Sequence, residues 1–346
     1  MILKKFLKNI LKSKKYYAVL LVLLVIVIAL PFIRGRKKFF SNSGVVWTTN
    51  YHITYEAKRD LNDSIQFLLN AIDNSVSPYN KQSLITAIND NKTSRVDALF
   101  IKLFNKSCQV NQASDGLYDP TVMPLVNAWG FGFKSGKLPT QAQLDSLLTF
   151  VGIEKTTLKD NILVKNDSRT QFDFSSIAKG LACDEIARML ARNGAVNYMV
   201  EIGGEVVTRG VNERGVPWCV SIDMPVPDDS DGPVHANALI LKLDSMAVAT
   251  SGSYRKFKEV NGKKVSHIVN PKTGGSETSS LLSVSIVAED CMTADAWATA
   301  CMAMGLEATQ LKFGNDNTLG VMTISADDDG NFVIWSNKRF ASMVER

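Results

Sequence analysis

The chain has 346 residues, about two average domains, and can bury a large core without disulfide staples. Apolar residues make up 45% and charged residues 21%, ordinary globular usage that excludes disorder, collagen and coiled coil as descriptions of the whole. The net charge of +5 is unevenly placed: residues 1–40 carry ten Lys and Arg and no Asp or Glu, so residues 41–346 stand at −5, and binding to nucleic acid loses its support.

The first predicted element is the uncharged run 16–33, YYAVLLVLLVIVIALPFI, 18 residues long and about the minimum for a membrane span. It is longer than a signal-peptide core, and Arg34-Gly35-Arg36-Lys37-Lys38 follows it in place of a small-residue cleavage site. It therefore reads as an uncleaved transmembrane anchor. Six Lys precede it and four basic residues follow, which puts residues 1–15 in the cytoplasm and residues 41–346 on the extracytoplasmic, periplasmic side of the inner membrane. No Cys precedes Cys108, so no thiol is placed for a lipid anchor. Residues 34–44, ending in Ser-Asn-Ser-Gly, read as a linker, and 45–340 as the folded body.

Within the body, residues 45–55 alternate and are β-branched, predicting a strand. Helical spacing predicts helices over 60–76, 98–109 and 140–151, with a short helix or loop at 83–89. Residues 161–172 suggest a hairpin turning at Asn166-Asp167-Ser168. Residues 176–192 form a helix with the stripe Ile177, Leu181, Ile186, Met189 and Leu190, ended by Asn193-Gly194. Strands follow at 198–202, 205–210, 218–222, 238–243 and 247–250, with an acidic surface loop at 225–233. A strand at 282–287, a helix at 294–304 and a hairpin of 321–325 with 332–336 complete the chain. Strands and helices mix without strict alternation, which is the α+β class. The five Cys are scattered, with no CxxC and no Cys/His metal spacing, so zinc and iron–sulfur centres are disfavoured.

Five stretches could carry chemistry. Asp173-Phe174-Ser175-Ser176-Ile177-Ala178-Lys179-Gly180 leads into a helix whose free N–H groups and Lys179 suit a phosphate, although an ordinary Ser-capped helix reads the same way. Gly180 inside that helix costs about 1 kcal/mol against Ala, which points to a close approach to the backbone. Glu201-Ile202-Gly203-Gly204-Glu205 is a turn between strands, either plain or ligand-facing. Residues 250–257 and 266–274 bring hydroxyls, amides, Arg255, His267 and Lys272 into loops that suit an anion. Asp295 and Thr299, four apart on one helix face, form a hard-oxygen pair suited to Mg²⁺, or merely a dipole partner and a back-bonding hydroxyl. Residues 77–79 and 118–132 are aromatic- and glycine-rich, able to receive a flat ring or simply to cover the surface.

Taken together and in order, SPYNKQSLITAIN, YDPTVMPLVNAWGFG, DFSSIAKGLACDEI, EIGGE, TSGSYRKF, SHIVNPKTGG and TADAWATA resemble the FAD:protein FMN transferase (ApbE) family over roughly residues 45–340. The resemblance implies a bilobed, T-fold-like α+β domain of mixed sheets with packed helices. It implies Mg²⁺ held by Asp295, Thr299 and the Ala178 carbonyl, with FAD as substrate. Tyr79 would pack on the isoalloxazine. Asp119, Thr121, Asp173, Ser176, Lys179, Glu201, Gly203, Gly204, Ser253, Arg255, His267 and Ile268 would line the dinucleotide site. His267 would be the general base and, with Asp295, catalytic. The implied reaction attaches FMN through a phosphoester to a Thr or Ser of a target flavoprotein subunit, in a membrane or extracytoplasmic redox system, and releases AMP. Hydrolysis of FAD to FMN and AMP, or flavin binding without catalysis, are the alternatives. The chain departs from the family at Ser83-Leu84, at Asn270-Pro271 and in using a helix where relatives often carry a lipid-modified Cys.

Overall fold

The computed structural model describes residues 17–18, 20–25, 37–132, 138–226, 237–253, 257–260, 263–276 and 280–345. Residues 17–18 and 20–25 are helical and exposed. The rest of the expected transmembrane helix at 16–33 lies outside the described residues, and among the described residues no helix is long and apolar enough to cross a membrane. Arg255 and most of the expected acidic loop at 225–233 also lie outside them.

The first hairpin joins β1 (Lys38–Val46) to β2 (Thr49–Ala57). Its turn residues Trp47 and Thr48 have φ of 49° and 65°, the left-handed pair that matches strand twist. The folded unit thus begins at Lys38, inside the segment expected to be a linker. Ser41–Gly44 is polar because β1 is an edge strand: Asn42 accepts a hydrogen bond from the Tyr55 hydroxyl at 2.8 Å. Gly44 lies opposite Tyr51, whose ring occupies the space a Cβ would need.

Helices α1 (Asn62–Val76), α2 (Leu84–Asn89), α3 (Ala98–Ala113), α4 (Met123–Ala128) and α5 (Gln141–Leu148) follow. Ser83 and Asp97 cap α2 and α3, and Thr140 with Gln143 forms a capping box on α5. The next hairpin pairs β3 (Thr156–Lys159) with β4 (Ile162–Lys165) and turns at Asp160-Asn161, both with positive φ. It therefore lies earlier than the expected hairpin at 161–172. Asn166–Ser168 bends too, but Thr170 then runs into the interior and donates to the Phe150 carbonyl instead of pairing back.

After α6 (Ala178–Arg192) come β5 (Tyr198–Ile202), β6 (Glu205–Arg209), β7 (Trp218–Asp223), β8 (Asn237–Leu243), β9 (Ala247–Gly252), β10 (Phe257–Val260), β11 (Lys263–Ser266) and β12 (Leu281–Ala288). Helices α7 (Cys291–Met304) and α8 (Leu306–Phe313), strands β13 (Gly320–Ala326) and β14 (Phe332–Ser336), and α9 (Lys338–Ala341) end the chain. Eight strands form one sheet in the order β1-β2-β5-β6-β9-β12-β13-β14. The class is α+β as expected, but the described strand pairs are antiparallel rather than mixed. The chain leaves β2 at one end of the sheet, runs through α1 to α6, and re-enters β5 at that same end.

Helices α6 and α7 pack on one face against β5, β6, β9 and β12. Ile53, Val200, Ile202, Ile186, Leu190 and Trp297 belong to the main core there. The β7–β8 hairpin and Phe340 cover part of the other face, with Val220, Ile222, Leu241 and Leu243 meeting Val206, Val248 and Ile324. Cover on both faces buries β13 almost throughout rather than at alternate residues.

Gly180 marks the point where α6 meets the start of α7. A Cβ there would lie 2.5 Å from the Cys291 carbonyl oxygen and 2.8 Å from Met292 Cα. The close approach inferred from the sequence is helix to helix. Gly→Ala within a helix ordinarily stabilises. Here Gly180→Ala is expected to destabilise by about 1–3 kcal/mol, as overpacking does. A lowered denaturant midpoint with unchanged slope checks it; a raised midpoint refutes the packing argument.

Candidate active site

A cavity of about 580 Å³ opens at the end of the sheet where β6 begins and β9 ends. It lies within the size range of small-molecule sites. Its walls come from the start of α6, the middle of α7, the segment leading into α4, and the 267–271 loop.

The turn into α6 is fixed first. Phe174 is fully buried and meets Phe100 edge-on, with ring centroids 5.1 Å apart. Its carbonyl accepts from the Ile177 and Ala178 N–H groups. Asp173 accepts from the Ser175 N–H at 2.8 Å, and its own N–H donates to the Pro120 carbonyl at 2.7 Å. No side chain of the Ser-Ser pair caps α6. The Asp295 carboxylate of α7 caps it instead, accepting from the Gly180 N–H at 3.0 Å. The reciprocal contact runs the other way: the Asp184 carboxylate of α6 accepts from the Cys291 and Met292 N–H groups, at 2.9 and 3.1 Å. Asp290 completes the α7 terminus by accepting from the Thr293 N–H. Each helix thus satisfies N–H groups that the other leaves without an intrahelical partner.

Lys179 Nζ lies 2.5 Å from Glu205 Oε2. Burial pulls the Lys179 ammonium down, but Glu205 and Asp295 together outweigh it and hold it above its ordinary value. Burial lifts both carboxyls against that same cation, Glu205 to about 8. Two buried acids share one partly buried base, so the trio favours any added positive charge beside Asp295.

Thr299 stands one turn beyond Asp295 and lines the same cavity. Its Oγ1 is 3.1 Å from Ser251 Oγ of β9. Among the described residues no group of three or more His, Cys, Asp or Glu is gathered for a metal. The donor set is one carboxylate and neutral oxygens. That fits a hard cation such as Mg²⁺, which takes one or two protein carboxylates and fills its shell with water and phosphate oxygens.

The opposite wall is a loop held by a small separate core. Trp129 Nε1 donates to the Gly274 carbonyl at 2.8 Å, and Val269 packs with Leu125, Leu144 and Val151. Asn270 closes the turn by accepting from the Lys272 and Thr273 N–H groups. His267 faces Phe131 edge-on at 6.4 Å. Tyr79 stands at the cavity mouth, 69% exposed.

Of the residues expected at the site, Tyr79, Asp119, Asp173, Ser176, Lys179, His267, Ile268, Asp295 and Thr299 line this cavity together. Ala178 opens α6 beside it without being part of the lining. Thr121 is fully buried behind it, donating to Asp119 at 2.6 Å and accepting from the Gly152 N–H. Asp119 also takes the Ile153 N–H, so it fastens the wall it lines.

The structure does not bring Glu201, Gly203, Gly204 or Ser253 to the cavity. Gly203 and Gly204, with φ of 60° and 97°, form a two-residue hairpin turn, where Ile202 pairs with Glu205. Side chains alternate faces, so Glu205 turns inward while Glu201 turns away and meets His52 at 2.8 Å. In β9, Ser251 lines the cavity, while Ser253, just past the strand, donates to the Leu281 carbonyl. Glu205 and Ser251 were the residues missed; strand parity could have found Glu205, while no sequence signal separates Ser251 from Ser253, which have the same parity.

The ApbE family model matches residues 47–321, and the chain belongs to the ApbE family. It is 33% identical over 335 residues to an FAD:protein FMN transferase of Haemophilus influenzae, covering 92% of this chain and 95% of that one. It is 35% identical over 299 residues to that of Vibrio cholerae, covering 83% and 88%. Among solved structures, the flavin transferase ApbE from Vibrio cholerae matches with a TM-score of 0.77 at 33% identity, over 89% of this chain and 99% of that one. The apo Pseudomonas stutzeri flavinyl transferase ApbE matches at 0.80 and 27% identity, over 89% and 97%.

Removing Asp184 leaves two buried N–H groups without an acceptor. Asp184→Ala is expected to cost about 1–3 kcal/mol of unfolding free energy, read by urea denaturation. Burial, opposed by those two donors, lifts the Asp184 carboxyl from 3.8 to about 6. A raised carboxyl contributes stability at low pH that is lost as pH rises through the folded value. The stability difference between wild type and Asp184→Asn should therefore fall between pH 3.8 and about 6. A difference that is flat across that window would show the carboxyl titrates normally.

Proposed function

We propose that this protein is an FAD:protein FMN transferase that moves FMN from FAD to a Thr or Ser hydroxyl of a target flavoprotein subunit. The observation that carries the reading is one cavity that joins Asp295 and Thr299, the Lys179–Glu205 pair, His267 and the exposed ring of Tyr79. Family membership and relatives bearing that name support it.

Asp295, Thr299 and the Ala178 carbonyl would hold Mg²⁺, and Mg²⁺ would supply charge neutralisation at the FAD pyrophosphate. The chain's own groups do the rest. Tyr79 packs against the isoalloxazine and fixes the FMN half. Lys179 faces the phosphates as a cation, kept charged by two carboxyls. His267 takes the proton of the acceptor hydroxyl. The hydroxyl oxygen bonds to the FMN phosphorus as the anhydride bond to AMP breaks, and the AMP phosphate carries the electron pair away. Phosphoryl transfer of this kind needs positioning and charge stabilisation more than a covalent nucleophile. The apolar run at 16–33 anchors the enzyme in the inner membrane with the body outside the cytoplasm, a reading supported by its length and flanking charge.

Full-length protein with FAD, Mg²⁺ and an acceptor subunit should give UV-fluorescent acceptor on a denaturing gel together with released AMP. FMN and AMP without labelled acceptor would indicate a hydrolase, and FAD left intact would refute both. Asp295→Ala is expected to abolish Mg²⁺-dependent turnover; unchanged activity would remove the metal assignment. His267→Ala should cut kcat by about 10²–10⁴-fold, the usual worth of a general base. FAD affinity should hardly change, and equal losses of both would make His267 a binding residue.

A further inference from the structure

The two ends of the sheet differ in charge and in purpose. The cavity lies at the end where β6 starts and β9 finishes. At the opposite end, β1 and β5 begin while β2 and β6 finish, and the strand registers place these termini side by side: Lys38 pairs with Ala57, Tyr198 with Tyr55, and Tyr198 with Arg209. Exposed Lys38, Lys58, Arg59 and Arg209 therefore cluster there. Helix α6 also ends at this side, bringing exposed Arg192, and Lys37 Nζ donates to the Gly194 carbonyl at 2.7 Å just beyond it. Glu56, Asp60 and Asp244 share this end, with Glu56 accepting from the Asn197 amide, Asp60 from the Tyr55 hydroxyl and Asp244 from the Gly210 N–H. The remainder of a body with net charge −5 is correspondingly more acidic.

We propose that this basic end is the surface on which the domain rests against anionic lipid headgroups, with the cavity held at the far side of the sheet. The inference rests on the anchoring proposed above for residues 16–33. Only residues 34–36 separate that run from Lys37, and an extended chain covers at most about 3.6 Å per residue, so the basic end cannot leave the membrane surface by much. Basic residues at such a distance are drawn to anionic headgroups. The nine residues of β1 span about 30 Å, which sets the height of the cavity above the lipid. The acceptor this enzyme serves is then an extramembrane segment that presents its hydroxyl about 30 Å from the bilayer, not a residue at the lipid surface.

The test uses the full chain in nanodiscs of zwitterionic lipid, with and without 30% anionic lipid, treated with an amine-acetylating reagent and read by mass spectrometry. Lys38 and Lys58 should be labelled several-fold more slowly with anionic lipid, while Lys81, exposed in the loop after Tyr79, stays unchanged. High salt should reverse the protection. The triple variant Arg59→Glu, Arg192→Glu, Arg209→Glu should lose it and keep flavin transfer to a soluble acceptor. Protein that fails to co-fractionate with nanodiscs overturns the anchor and this inference with it. Protein that co-fractionates but shows no lipid-dependent protection of Lys38 and Lys58, or shows it at Lys81, overturns this inference alone.

Discussion

Everything at the site depends on two helices that cap each other. Asp295 of α7 takes a first-turn N–H of α6, and Asp184 of α6 takes two N–H groups at the start of α7. Both carboxylates are buried and both are satisfied by backbone, so neither helix can slide without leaving a polar group unpaired in the interior. The contact is possible only because Gly180 lets the backbones approach. Lys179, Asp295 and Thr299 reach one cavity as a consequence of that register. A ligand site built this way is stiff, because moving one side chain means moving a helix.

The electrostatics follow from burial. Glu205 is 1% exposed and Asp295 3% exposed, with one lysine between them. Burial disfavours two full negative charges beside a single positive one, so the site is left with appetite for a cation. An acidic body can handle an anionic dinucleotide in this way. The attraction is concentrated at a few desolvated groups and does not need a basic surface. The ten basic residues that raise the total to +5 lie in the first 40 residues.

Much of the fold was legible because apolar periodicity and capping are local. The helices near residues 62–76, 98–113, 178–192 and 291–304 and most strands appear where spacing placed them. Errors arose where local composition misleads. Ser-Asn-Ser-Gly reads as linker but is an edge strand, since edge strands tolerate polar residues and Gly44 makes room for the Tyr51 ring. Asn-Asp-Ser reads as a hairpin turn, yet Asp160-Asn161 holds the left-handed conformation that a two-residue hairpin needs.

The sequence by itself determined the class of fold, most of the elements and the family, because hydrophobic period, turn chemistry and motif order are written along the chain. It also carried the i,i+4 pairing of Asp295 with Thr299, which helix geometry alone dictates. Tertiary structure decided which residue of each motif faces the cavity. Glu205 and not Glu201 points inward, because Ile202 pairs with Glu205 and leaves Glu201 on the other face beside His52 of β2. Ser251 lines the cavity within β9, whereas Ser253 lies past the end of that strand and donates to the Leu281 carbonyl. It also decided what Gly180 is for. A glycine in a helix announces a close approach, but only the packed structure shows that the neighbour is the backbone of α7.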